Sequence, residues 1–298
     1  MAVFAEGTPC WVDVALDDLE AGKRFYGSLF GWTFADAGTA TQSAFVNALS
    51  DGLKVAALAP KRDGRMPTAW GVYFATDDIV ALAAKVRAAG GQLLTDPVAV
   101  EPLGVMAVAA DPGGGVFGLW QAGTHSGFEK RDEPGSFCWT EVYTHDKELI
   151  DPFYETVFGF EGRSRSEEHA RSEELAQDEE LARSEGDAQS EERAQGDAGV
   201  DFRTWSLAGT EPGPETAIGG RSVMSDAFPV EMPDHFLVYF VVESCDGAVE
   251  ATKRLGGRVQ LPPVDTPFGR IAVLVDNQGA TFAVLAEPEK TLDGSEKT

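Results

Sequence analysis

The chain has 298 residues, 43% of them hydrophobic, which is enough for two domains with cores of their own. A formal net charge of −25 argues against nucleic acid as a partner, because phosphate binding needs clustered Lys and Arg, and against anionic membranes. The first residues lack a basic region followed by an apolar run, and no stretch approaches the length of a spanning helix. Cys10, Cys138 and Cys245 lack framework spacing and read as buried thiols, so the expectation is a cytoplasmic protein.

Cys10 to Leu16 alternates as a strand. Asp17-Asp18 then offers an N-cap, and Leu19, Phe25, Tyr26, Leu29 and Phe30 recur at helical spacing until Gly31 stops the helix. Alternating segments follow near residues 44–48 and 53–58. A further strand is predicted over 71–76, and Asp77-Asp78 caps a helix with Ile79, Leu82, Ala83 and Val86 on one face, ended by Gly90-Gly91. Strands over 105–109 and 116–120 flank the turn Asp111-Pro112-Gly113-Gly114-Gly115. The order is β-α-β-β-β, twice.

After a linker at 124–135 the pattern returns. Trp139-Thr140-Glu141-Val142, Asp146, Phe153-Tyr154 and Phe158-Gly159-Phe160 repeat Trp11-Val12-Asp13-Val14, Asp18, Phe25-Tyr26 and Phe30-Gly31-Trp32, 128 residues on (11 to 139). Tyr239-Phe240, Gly256-Gly257, Pro263, Gly269 and Asp276 repeat Tyr73-Phe74, Gly90-Gly91, Pro97, Gly104 and Asp111, about 165 residues on (111 to 276). The mismatch is an insertion at 162–199, with twelve Asp or Glu against five Arg and only Leu175 and Leu181 as aliphatic residues beyond alanine. Such a segment is expected to be a disordered, solvated surface loop. The domain reading is therefore a first module over 1–123, the linker at 124–135, a second module over 136–288 and a flexible tail at 289–298.

Asp18-Leu19-Glu20-Ala21 leading to Phe25-Tyr26 and Phe30-Gly31, followed by the Gly90-Gly91 and Asp111-Pro112-Gly113-Gly114 turns, resembles the vicinal oxygen chelate superfamily. That family includes glyoxalase I, extradiol dioxygenases and bleomycin-resistance proteins. The resemblance implies an α+β fold of four βαβββ units in two modules, with curved, open half-barrel sheets, helices outside and a ligand cavity on the concave face. Metal-dependent members place His or Gln on the first strand of each unit and Glu on the last. The matching positions here are Trp11, Gly71 and Gly118, then Trp139, about Leu237, and Ala283, none of which can ligate a metal. The expectation is no metal and no cofactor. His125 falls in the linker, His145 at a helix start and His169 in the insertion, which leaves His235 as a cavity candidate. No Ser or Cys keeps the company of a nucleophile, and parity points Cys10 and Cys138 toward the helices.

If Trp11 faces the cavity, so do Asp13 and Ala15, with Gly71, Tyr73, Gly118 and Trp120 beside them. The second cavity takes Trp139, Glu141, Tyr143 and Tyr239, with His235 and Leu285. One reading is a plugged core. The other is a pocket for a flat apolar ligand whose cationic group pairs with Asp13 or Glu141, unless Arg24, Lys54 or Arg270 pairs there internally. The leading functional expectation is a metal-free binding protein of the bleomycin-resistance type. It would hold a planar aromatic secondary metabolite, such as an anthracycline-like polyketide, for self-resistance or to assist antibiotic biosynthesis, alone or beside a biosynthetic enzyme. An Ala-, Gly-, Asp- and Arg-rich, Lys-poor composition resembles that of a high-GC actinomycete. The alternatives are a metal-independent hydroxylase, isomerase or lyase with Asp13, Glu141 or His235 as general base, and an interaction module working through its acidic arm. Two modules in one chain favour a monomer.

Overall fold

The computed structural model describes residues 4–36, 45–61, 63–164, 201–226 and 228–287. Most of the acidic insertion and the tail expected at 289–298 lie outside the described residues. Each module contains two βαβββ units. The first comprises β1 (Pro9–Leu16), α1 (Leu19–Phe30), β2 (Thr33–Asp36), β3 (Val46–Ser50) and β4 (Leu53–Pro60); the second comprises β5 (Trp70–Ala75), α2 (Ile79–Ala88), β6 (Gln92–Val100), β7 (Gly104–Ala110) and β8 (Val116–Ala122). The third has β9 (Phe137–Thr144), α3 (Lys147–Phe158), β10 (Glu161–Ser164), β11 (Phe202–Ser206) and β12 (Ala217–Val223); the fourth has β13 (His235–Val241), α4 (Cys245–Arg254), β14 (Arg258–Thr266), β15 (Gly269–Val275) and β16 (Thr281–Ala286).

The helices start and stop where local chemistry requires. Carboxylates of Asp18, Asp78 and Asp146 and the hydroxyl of Ser244 each accept from the backbone N–H three residues on, satisfying a donor that the first turn leaves free. α1 and α3 end at Gly31 and Gly159, both left-handed at φ near 72° and 71°, a conformation glycine adopts without steric cost.

The strands form two open eight-stranded sheets, ordered β2-β3-β4-β1-β5-β8-β7-β6 and β10-β11-β12-β9-β13-β16-β15-β14. β1 joins β5, and β9 joins β13, in antiparallel register, so consecutive units pair within a module. The fold is α+β, with no closed barrel.

Helices cover one face of each sheet, and there the two modules meet crosswise, which leaves the opposite, outer face turned away from the other module. α1 packs against α4, and α2 against α3. Tyr26 Oη on α1 donates to Asp276 Oδ2 at 2.8 Å, and Tyr154 Oη on α3 donates to Asp111 Oδ2 at 2.9 Å. The other oxygen of each aspartate gathers its own turn: Asp111 Oδ1 accepts from the N–H of Gly113 and Gly115, and Asp276 Oδ1 from those of Gln278 and Ala280. Phe30 against Phe240 and Phe74 against Phe158 and Phe236 continue the contact as apolar packing. One core therefore runs through both modules.

The linker is part of that packing. Its Phe128 is 6% exposed and its N–H donates to Cys10 O at 2.9 Å; Glu129 N–H donates to Lys54 O, and Gly135 N–H to Val241 O.

Candidate functional site

Away from the helices, the outer face of each sheet carries the side chains that alternate with the core. Val12 and Val14 are fully buried on the helix side, so Trp11 and Asp13 lie on the outer face of β1. Asp13 sits opposite Gly71, and Trp11 opposite Tyr73, whose parallel neighbour is Gly118 on β8. Tyr73 Oη reaches diagonally to Asp13 Oδ2 at 2.9 Å. A Cβ on Gly118 would come within 2.1 Å of Tyr73 Cδ1, so only glycine lets that ring lie down over the sheet. Trp120 completes the row, its indole N–H donating to His125 O at 2.9 Å. The structure thus brings Trp11, Asp13, Gly71, Tyr73, Gly118 and Trp120 onto one face.

The second sheet repeats the plan with different wiring. Glu141 is opposite Leu237, and Trp139 opposite Tyr239. Trp139 Nε1 donates to Glu141 Oε1 at 3.1 Å, and Ser222 Oγ donates to Oε2 at 2.7 Å. The Tyr143 and Tyr239 hydroxyls approach to 3.5 Å, and Tyr143 stacks on His235 with centroids 5.5 Å apart. His235 Nδ1 donates to Pro233 O at 3.0 Å. Leu237, Tyr239, Val273 and Ala283 form a small apolar cluster beneath.

Burial sets the electrostatics. The Asp13 carboxyl is pushed up to about 6 by desolvation, with the Tyr73 hydrogen bond pulling the other way. Glu141 is also raised by burial, against the donors from Ser222, Tyr239, Trp139 and Tyr143. Tyr73 and Tyr239 are held well above the usual phenol range by burial and the adjacent carboxylate. Neither tyrosine is a ready base; Tyr73 donates to Asp13, and the Tyr239 hydroxyl faces that of Tyr143.

Several expectations change. Lys54 and Arg270 do not neutralise the outer-face carboxylates: Lys54 pairs with Glu129 at 2.8 Å, and Arg270 with Asp246 and Asp265. His125, placed in the linker by sequence, folds onto the first outer face, edge-on to Trp11 at 4.4 Å and to Trp120 at 5.6 Å. Burial and then Lys54 hold its imidazole down to about 4. Phe128 joins it, 5.6 Å from Trp11. Phe128 itself marks the linker as a covering segment, since an apolar residue in an otherwise polar stretch needs a surface, but nothing in the sequence places His125. Cys10 and Cys138 are the extra residues of β-bulges, and Cys138 packs with the outer-face cluster rather than the helices, since a bulge resets the alternation. Burial pushes the Cys10 thiol up to about 12 and raises Cys138 further, so neither is an activated nucleophile.

A divalent ion of the kind that metal-dependent members hold does not fit these residues. The corresponding positions, Trp11, Gly71, Gly118, Trp139, Leu237 and Ala283, carry no metal donor, and the described residues contain no group of three His, Cys, Asp or Glu that could hold one. Among the described residues, no helix is long and apolar enough to cross a membrane.

Residues 10–119 match the model of the glyoxalase/bleomycin resistance protein/dioxygenase superfamily. The chain is 33% identical over 299 residues to the Anthracycline biosynthesis protein DauV of Streptomyces sp. (strain C5), covering 96% of this chain and 95% of the relative. It is 34% identical over 287 residues to "Putative glyoxylase CFP32" of Mycobacterium bovis, covering 95% of each. In fold it is similar to the Mn(II)-bound glyoxalase from Novosphingobium aromaticivorans, with a TM-score of 0.57 at 14% identity over 95% of this chain and 83% of that one. With the module architecture, the repeated motifs and full-length relatives in agreement, the chain belongs to the glyoxalase/bleomycin resistance/dioxygenase superfamily, the vicinal oxygen chelate fold.

Proposed function

We propose that this protein is a metal-free binder of a planar aromatic secondary metabolite of the aromatic polyketide class, holding it on an outer sheet face for sequestration or for presentation to a biosynthetic enzyme. The observation that carries the reading is the row of Trp11, Tyr73 and Trp120 around Gly71 and Gly118 with Asp13 among them. Indole and phenol rings suit a conjugated ring system, and a half-buried carboxylate suits its amine or phenol. The anthracycline-biosynthesis name of a full-length relative supports the ligand class.

Titration with daunorubicin and its neutral aglycone, followed by tryptophan fluorescence and calorimetry, tests this. Binding tighter than about millimolar, roughly 4 kcal/mol, is expected. Trp11→Ala is expected to weaken it by about 1–3 kcal/mol. A panel of aromatic polyketides that all fail to bind would leave the outer face as plugged core. A second reading rests on the carboxyl of Asp13, raised to about 6, where a general base would work near neutrality. In that case Asp13→Asn abolishes turnover while leaving binding nearly intact, and product appears by mass spectrometry without added metal.

A further inference from the structure

The two outer faces carry the same pair, an indole and a carboxylate two positions on, yet only one pair is satisfied from within. In the second module both oxygens of Glu141 accept, from Trp139 Nε1 and Ser222 Oγ, and the residue is 9% exposed. In the first, the aspartate is one methylene shorter and accepts only Tyr73 Oη, on Oδ2. Among the described residues, Asp13 Oδ1, Trp11 Nε1 and the ring nitrogens of His125 have no hydrogen-bond partner. They lie on one sheet face: the imidazole stands edge-on to the Trp11 indole, Asp13 is two positions along the same strand, and Asp13 Oδ1 lies 3.0 Å from where a Cβ on Gly71 would be. Nor are these atoms sealed away, since the buried unpartnered side-chain atoms among the described residues are Asp234 Oδ2 and Thr252 Oγ1.

We propose that the first module alone takes the ligand, in a site that the linker completes. Trp11 N–H donates, Asp13 Oδ1 accepts, and the neutral His125 ring does either. This trio fits a planar aromatic bearing a carbonyl or quinone oxygen beside a phenol or ammonium. The second outer face is filled scaffold: Glu141 is quenched by its own neighbours, and Ala283, fully buried, stands where the first module keeps Gly118. The assignment rests on the planar-ligand reading and narrows it to one face and to a linker residue outside the family's strand positions.

Indole and imidazole signals of the 15N-labelled full chain, assigned with Trp11→Phe and His125→Ala, are followed with two probes: daunorubicin at micromolar concentration and 1-naphthol at millimolar concentration. Both probes are expected to move the Trp11 and His125 signals and leave Trp139 in place. Asp13→Asn and His125→Ala should each lower daunorubicin affinity tenfold or more, while Glu141→Gln and Trp139→Phe change it less than threefold. If daunorubicin binds but moves Trp139 and responds only to the Glu141 and Trp139 variants, the assignment is overturned and the planar-ligand reading survives. If 1-naphthol moves Trp11 and daunorubicin does not bind, the face stands and the polyketide reading falls. Trp11 and His125 signals that stay still with both probes overturn the assignment, and the wild-type spectra decide this even if a variant fails to fold.

Discussion

Asp13 and Asp111 show burial acting on one residue type in two roles. Asp111 is 3% exposed, and desolvation pushes its carboxyl up to about 6 against the hydrogen bonds from Tyr154, Gly115 and Gly113. In the unfolded chain an aspartate titrates near 3.9, so between about pH 4 and 6 the folded state binds the extra proton. The stability from that proton is fully present below pH 4 and is lost as pH rises through 6, at about 1.4 kcal/mol per unit. Wild type should therefore gain on the order of 2 kcal/mol relative to Asp111→Asn when urea unfolding is moved from pH 7 to pH 4; parallel pH profiles for the two proteins would refute the protonation account. The metal expectation is also a residue-scale matter. With tryptophan, glycine, leucine and alanine at the ligand positions, elemental analysis of purified protein should find no stoichiometric divalent metal, and chelator should leave ligand binding unchanged; a bound equivalent of Zn, Fe, Ni or Mn whose removal abolishes binding would overturn it. Alternation along one strand made Trp11 and Asp13 legible from sequence. His125 was not, because no periodicity says where a linker folds back.

Among the elements, the motifs that betray the repeat are those that hold the modules together. Phe25-Tyr26 and Phe153-Tyr154 supply the ring and hydroxyl that cross to the other module, and the aspartate turns receive them. At Gly91 and Gly257 a Cβ would meet the neighbouring strand's backbone first, Ala110 O at 2.8 Å and Val275 O at 2.4 Å, and then the other module's Phe153 at 2.8 Å and Phe25 at 3.2 Å. Tyr26 Oη also accepts the Trp70 indole N–H at 3.1 Å, so Tyr26→Phe strands two buried groups at once. It should cost about 2–3 kcal/mol, read as a lower urea midpoint at unchanged slope. A loss below about 0.5 kcal/mol would mean that the crossing hydroxyl is dispensable. Sequence located β1, β5, β7 and β8, whose apolar residues alternate against a core. It gave no separate place to β6, an edge strand with Leu94 and Val98 exposed, because a strand with little buried face leaves little pattern to read.

Across the whole molecule, the insertion and the crossed interface have different consequences. β10 and β11 pair directly, Ser164 opposite Arg203, so the ends of the segment between them already lie side by side. Replacing residues 165–200 with a short Gly-Ser turn should leave Tm within a few degrees, since loop closure changes by only about 0.6 kcal/mol per doubling of length. A collapse in folded yield would show that the segment supports the sheet. The crossing of Tyr26 to Asp276 and of Tyr154 to Asp111 has the reciprocity of an isologous interface, in which residue i touches j and j touches i. The chain is in effect a homodimer written as one gene. Covalent fusion frees its halves from enforced symmetry: in a true homodimer, exchanging Asp13 for the longer acid would close both faces together, whereas here one face can fill in as scaffold while its twin keeps an open carboxylate.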